Sequence, residues 1–152
     1  MRIALISCSK MKRNGTHKAK DLYSSPLFVK QLEYAKSHAD RIYILSAKYG
    51  LLNLEDRIDN YDLTLNNMSK REQMQWAYNV WIQLKREIED TDEILWLTGN
   101  NYSKYLSRVL KNKQVFPLDR LSVGKRLQWL NGTNDKKVIK SENKKIIFPS
   151  NE

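Results

Sequence analysis

Arg41-Ile42-Tyr43-Ile44-Leu45-Ser46-Ala47-Lys48-Tyr49-Gly50 is the stretch whose reading decides the fold. Residues 41–45 make an apolar run of strand length. A run without alternation marks a strand buried on both faces of a sheet. It breaks at once into small, polar and glycine residues. The same pattern recurs along the chain. Arg2-Ile3-Ala4-Leu5-Ile6 stops at Ser7-Cys8-Ser9-Lys10. Glu93-Ile94-Leu95-Trp96-Leu97 stops at Thr98-Gly99-Asn100, and Gln114-Val115-Phe116 stops at Pro117-Leu118.

Between these runs the periodicity is helical. Pro26 suits a first helical turn, with Ser24 or Ser25 as its cap, and Phe28, Leu32 and Ala35 follow at helical spacing. Ser69 and Glu72 have the spacing of a capping box. Met74, Ala77, Val80, Trp81, Leu84 and Ile88 are the expected buried stripe of the helix they open. Tyr102, Tyr105, Leu106, Val109 and Leu110 suggest a short helix. Residues 123–130 suggest another, stopped by Asn131-Gly132. Residues 11–20 and 51–68 read as loops.

Strands alternating with helices predict an α/β fold: a four-stranded parallel sheet flanked by helices, with right-handed crossovers. Ligands of such sheets bind beyond the carboxyl ends of the strands. All four strand exits here carry residues suited to that place. One domain over residues 1–132 is expected. A basic tail, 133–152, carries Ile146-Ile147-Phe148 and is expected to be partly flexible or docked on the domain.

The chain has 152 residues and a formal net charge of +10. Clustered Lys and Arg bind polyanions by releasing counterions, so nucleic acid is the expected partner. No apolar run approaches the ~20 residues of a membrane helix. The amino terminus turns polar too early for a signal peptide. The single cysteine, Cys8, excludes an internal disulfide, and the default compartment is the cytoplasm. Cys8, His17 and His38 lack zinc-ligand spacing, and no phosphate loop or dinucleotide fingerprint is present, so no metal or cofactor is expected.

Several segments are candidates for the site. Cys8 and Ser9 follow the first strand, where small residues let a ligand approach the backbone. Lys10 and Lys12 can meet phosphate. Cys8 also fits a small packed residue at a strand end. Tyr23 is either a packed ring or a stacking platform. Ser46, Lys48, Tyr49 and Gly50 are the most informative set. A flat ring and a cation beside small residues suit a base and its phosphate, and Gly50 permits a sharp turn. Tyr61 and Asp62 lie in the long loop, where Asp62 can activate water or stabilise a cationic sugar, or form an Asx turn. Asp56 is a second carboxylate candidate. Gly99, Asn100 and Tyr102 can admit, read and stack on a base. Lys125 and Arg126 can contact the phosphate backbone or form a solvated face.

Taken together, these motifs resemble a family of small bacterial and phage proteins. The matching motifs are Cys8-Ser9-x-x-Lys12, Leu22-Tyr23-x-Ser25, Leu45 to Leu51, Tyr61 to Leu65, Gly99-x-x-Tyr102, and Pro117-Leu118 with Gly124. The resemblance extends to about Leu130, and Leu45 to Leu51 is its most specific part. That family is similar to a domain of archaeosine synthases and, more distantly, to the uracil-DNA glycosylase fold. It also resembles an anti-phage glycosylase that removes glucosylated hydroxymethylcytosine from phage DNA. The resemblance implies a three-layer glycosylase-like architecture and a DNA glycosylase that flips a modified base and leaves an abasic site.

One departure matters. Uracil-DNA glycosylases usually place an Asp or Asn just after the first strand, where this chain has Cys8, Ser9 and Lys10. The carboxylate must then come from elsewhere, and Asp62 is the expected source. Lys48 or Lys10 is expected to help the base depart. An RNA or nucleoside base-exchange enzyme and a non-catalytic nucleic-acid-binding module are the alternatives.

Overall fold

The computed structural model describes residues 1–135. The expected tail, from residue 136 onward, lies outside the described residues. The four apolar runs form β1 (Arg2–Ser7), β3 (Arg41–Ser46), β6 (Glu93–Leu97) and β7 (Gln114–Val115); β2 (Thr16–Lys18) falls between the first two. β3, β1, β6 and β7 lie side by side in that order, all parallel. The register places Leu5 between Tyr43 and Trp96, and Ile6 between Ile44 and Leu97. The fold is therefore α/β, with a mostly parallel central sheet flanked by helices.

Two expected loops contain more order than their sequence suggests. β4 (Gly50–Asn53) turns back antiparallel on β3 and makes a fifth, edge strand. β5 (Arg57–Asp59) pairs antiparallel with β2 in a small separate sheet. Both are short and half-polar, so neither carries a periodic apolar signal. A single turn of 3-10 helix, Leu65–Asn67, completes the long loop.

The helices cover both faces. α1 (Ala19–Leu22) is one short turn. α2 (Pro26–His38) is capped by Ser25, whose side chain accepts from the Phe28 amide at 3.1 Å. Its Phe28, Tyr34 and Ala35 pack on the face of the sheet that carries Ala4, Ile6, Ile44 and Leu95. α3 (Lys70–Leu84) opens with the Ser69–Glu72 capping box and covers the other face, against Ile3, Leu5, Leu45 and Trp96.

The expected stripe of α3 needs correction. Met74 is 48% exposed, and Ile88 lies beyond the helix end. Gln73 and Trp76 face inward instead. The Gln73 amide earns its burial by donating to the Leu65 carbonyl at 2.9 Å, an outlet that hydropathy does not register. The expected short helix divides into α4 (Asn100–Ser103) and α5 (Leu106–Val109). α6 (Val123–Asp135) runs through Asn131-Gly132 rather than stopping there.

This topology fixes where a ligand goes. From β1 the chain crosses to β3 on one side, and from β6 it crosses to β7 on the other. β1 and β6 are neighbours whose connections diverge, which opens a crevice beyond their carboxyl ends.

Candidate functional site

Ser7 and Cys8 at the β1 exit and Gly99 at the β6 exit floor this crevice. The Gly99 amide donates to the Ser7 hydroxyl at 3.1 Å and joins the two exits. The Cys8 amide donates to the Leu45 carbonyl at 2.9 Å and joins β1 to β3. The half-buried Cys8 sulfur lies 3.2 Å from the Tyr102 hydroxyl. Tyr102 is anchored from behind by Trp76, edge to face at 5.5 Å. Burial raises the pKa of Tyr102, with Cys8 adding to the effect.

A chain of hydroxyls lines one wall. The Ser46 oxygen accepts from the amides of Lys48 at 3.2 Å and Tyr49 at 3.0 Å. With both lone pairs occupied, Ser46 gives its proton to the Tyr61 hydroxyl, 2.8 Å away. Tyr61 in turn gives its proton to Tyr23 at 2.7 Å. The direction of the chain is thus set by the backbone of the β3–β4 turn, and the Tyr23 proton is directed onward. Burial pushes the pKa of both phenols up.

Lys12 closes the other side. The strand-like stretch Met11–Arg13 is strapped to Leu22–Ser24 by a backbone bridge between Lys12 and Tyr23. The Arg13 amide bonds the Leu22 carbonyl at 2.8 Å, and the Ser24 amide bonds the Met11 carbonyl at 3.0 Å. This strap holds the Lys12 ammonium 4.5 Å from the centre of the Tyr61 ring and 5.9 Å from that of Tyr23. Burial lowers the pKa of Lys12, while Cys8 and Asp62 pull it the other way. Asp62 itself is exposed at the rim.

The structure therefore brings together Cys8, Lys12, Tyr23, Ser46, Tyr61, Gly99 and Tyr102, with Asp62 close enough for its charge to act on Lys12. Asn100 sits exposed at the start of α4, beside Gly99. The other candidates fall at its margins. Ser9 is engaged in its own turn, donating to the Met11 carbonyl at 3.0 Å. Lys10 and Lys48 point into solvent, and Lys48 lies 5.2 Å from the Tyr49 ring centre. Tyr49 packs edge to face on Tyr61 at 5.6 Å. Both also border a shallow groove of about 740 Å³ between the β3–β4 turn and α3, where Tyr78, Asn79 and Gln83 form the opposite side.

Two residues have a structural task that the sequence did not suggest. Gly50 adopts φ +75°, and a Cβ there would lie 2.4 Å from the Gln83 side-chain oxygen, which accepts from the Leu51 amide at 3.0 Å. Its glycine is required by this turn and by α3. Arg126 is half-buried and pins α6 to the sheet, donating to the carbonyls of Leu121 at 2.9 Å and Thr98 at 3.1 Å. It is no solvated face. Lys125 next to it is exposed. Asp56 is held in a turn and accepts from the Asn53 amide at 2.9 Å. Ser7, which joins the β1 and β6 exits, was missed because a serine after a strand carries no distinctive signal.

Among the described residues, no group of three or more His, Cys, Asp or Glu could hold a metal ion, and no helix is long and apolar enough to cross a membrane. Fold and crevice together define an α/β protein built to receive a ligand at a topological switch point. The chain belongs to DUF6884, a family of unknown function, whose model matches residues 3–132. It is also 31% identical over 147 residues to the uncharacterized protein YfjM of Bacillus subtilis (strain 168), a match spanning 90% of this chain and 97% of that protein.

Proposed function

We propose that this protein is a DNA glycosylase that hydrolyses the N-glycosidic bond of a modified base and leaves an abasic site. The observation that carries the reading is the crevice itself: phenol rings, a directed hydroxyl chain and a half-buried ammonium gathered beside a rim carboxylate. The three-layer architecture, in the manner of uracil-DNA glycosylases, and the basic composition of +10 accord with it.

In this reading the phosphate backbone lies across the basic surface, with Lys125 and Lys10 among its contacts. The target nucleotide flips into the crevice, since a base in the stack is out of reach. Tyr61, or Tyr102 across the crevice, meets its flat face, and Tyr23 and Asn100 read its edge. As the bond to the base breaks, positive charge grows on the sugar and negative charge on the base. Asp62 stabilises the sugar cation or takes a proton from the attacking water. Lys12 lies within the cluster, whereas Lys10 and Lys48 are outside it, so Lys12 is the better placed cation for the departing base. Glucosylated hydroxymethylcytosine in phage DNA is the candidate substrate, and defence against phage the corresponding role.

The test is release of free base. The protein is incubated with plain, hydroxymethylated and glucosylated phage DNA, and small products are read by mass spectrometry. Base released from a modified DNA supports the reading. No release from any of them, beside tight salt-dependent DNA binding, would replace it with a binding module.

A further inference from the structure

We infer that Lys12 is a nucleophile toward the abasic sugar, so that the same crevice carries a strand-cleaving lyase activity on DNA; the inference rests on the glycosylase reading above.

Lys12 differs from the other lysines near the crevice in its surroundings. Its backbone is fixed by the strap to Leu22–Ser24, so its stem leaves from a rigid origin. Its ammonium sits over the Tyr61 ring at 4.5 Å. It donates to the Lys10 carbonyl at 3.2 Å, which leaves other donor positions open. Among the described residues no carboxylate lies within ion-pair distance of it, whereas Lys18 and Lys20 are both paired with Glu55, at 2.9 and 2.7 Å. A lysine taken partly out of water without a partner carboxylate is the kind that reacts as a free amine. The direction of its pKa, lowered by burial, agrees. Lys10 and Lys48 are exposed and lack this setting.

The substrate is the abasic deoxyribose in its ring-opened aldehyde form, the product of base removal. The neutral Lys12 amine adds to C1′, and loss of one water gives an imine. Asp62, whose charge is felt at Lys12, takes a proton from C2′. The C3′–O bond then breaks, and its electron pair leaves with the 3′ phosphate. One water hydrolyses the conjugated imine and returns Lys12 as the amine. No oxidant or reductant takes part.

The experiment uses an oligonucleotide carrying a preformed abasic site, so that base removal is not needed. Wild-type protein is incubated with it in sodium borohydride, which reduces an imine to a stable amine link. A covalent protein–DNA band on a denaturing gel, mapped to Lys12 by peptide mass spectrometry, is the expected result. Lys12→Ala and Lys12→Arg lose the band, and Lys10→Ala and Lys48→Ala keep it. No band with wild type, or a band mapped to another lysine, overturns the inference. Mapping on the wild-type adduct decides the matter even where a Lys12 variant does not fold. Base release without trapping removes this inference alone, whereas trapping without base release removes the glycosylase reading and leaves a lyase.

Discussion

The two ends of the sheet are finished in opposite ways. At the amino end the charges are closed off in pairs. The terminal ammonium of Met1 meets Asp92 at 3.1 Å, Arg2 meets Glu93 at 2.8 Å, and the Arg2 amide donates to Asp40 at 2.7 Å. Asn112 bonds the Glu89 and Asp92 carbonyls, each at 2.8 Å. At the carboxyl end hydroxyls, a thiol and a lysine are gathered in a half-open crevice, and the lysine has no ion-pair partner among the described residues. An end whose polar groups satisfy one another serves the fold. An end that keeps donors and a cation in reserve serves a ligand.

The contrast breaks first at Asp62. Asp62→Asn is expected to lower base release by about 100-fold or more while leaving DNA binding and the melting temperature near wild type. Full activity in a base-release assay would remove Asp62 from the chemistry.

Gly50 sharpens the contrast from within the carboxyl end. Gly50→Ala forces a side chain into φ +75° and against Gln83, and is expected to cost about 2 kcal/mol in urea unfolding. A stability unchanged from wild type would show that the turn does not depend on glycine. Tyr61→Phe removes the middle of the hydroxyl chain and leaves Ser46 and Tyr23 without their partner. It is expected to cost about 1–2 kcal/mol by the same measurement.

The ends should also titrate apart. Tyr23, Tyr61 and Tyr102 have pKa values raised by burial above the unfolded value of about 10. Their contribution is complete below that pH and is lost as pH rises above it, by up to about 1.4 kcal/mol per unit for each phenol. Urea midpoints from pH 9 to 12, with phenolate absorbance in parallel, test this. Asp92 has a lowered pKa, first because of the Glu89 amide and then because of the terminal ammonium. Its contribution is present above about pH 4 and falls away as the acid is protonated. In Asp92→Asn the urea midpoint should fall slightly at neutral pH and respond less to acid, with base release unchanged.

The sheet was legible because burial on both faces writes an unbroken apolar run, as in Ile3–Ile6 and Ile94–Leu97. The β2–β5 pair was not, because Thr16-His17-Lys18 and Arg57-Ile58-Asp59 are too short and polar to carry a period. The Ser69 cap was legible because capping is local, and Gln73 was misread because its partner, the Leu65 carbonyl, is supplied by the fold. The site divides in the same way. Strand exits point to Cys8, Ser46 and Gly99 from sequence alone. The setting of Lys12 does not show in Lys10-Met11-Lys12-Arg13, which reads as a solvated basic run. Only its pairing with Tyr23 carries that ammonium onto the Tyr61 ring.

The most direct test compares one variant from each end in a single assay. Wild type, Asp92→Asn and Asp62→Asn are incubated with DNA carrying glucosylated hydroxymethylcytosine, and free base is quantified by mass spectrometry. The account predicts release by wild type and Asp92→Asn and almost none by Asp62→Asn. Equal release by all three, or release abolished by Asp92→Asn and spared by Asp62→Asn, would contradict it.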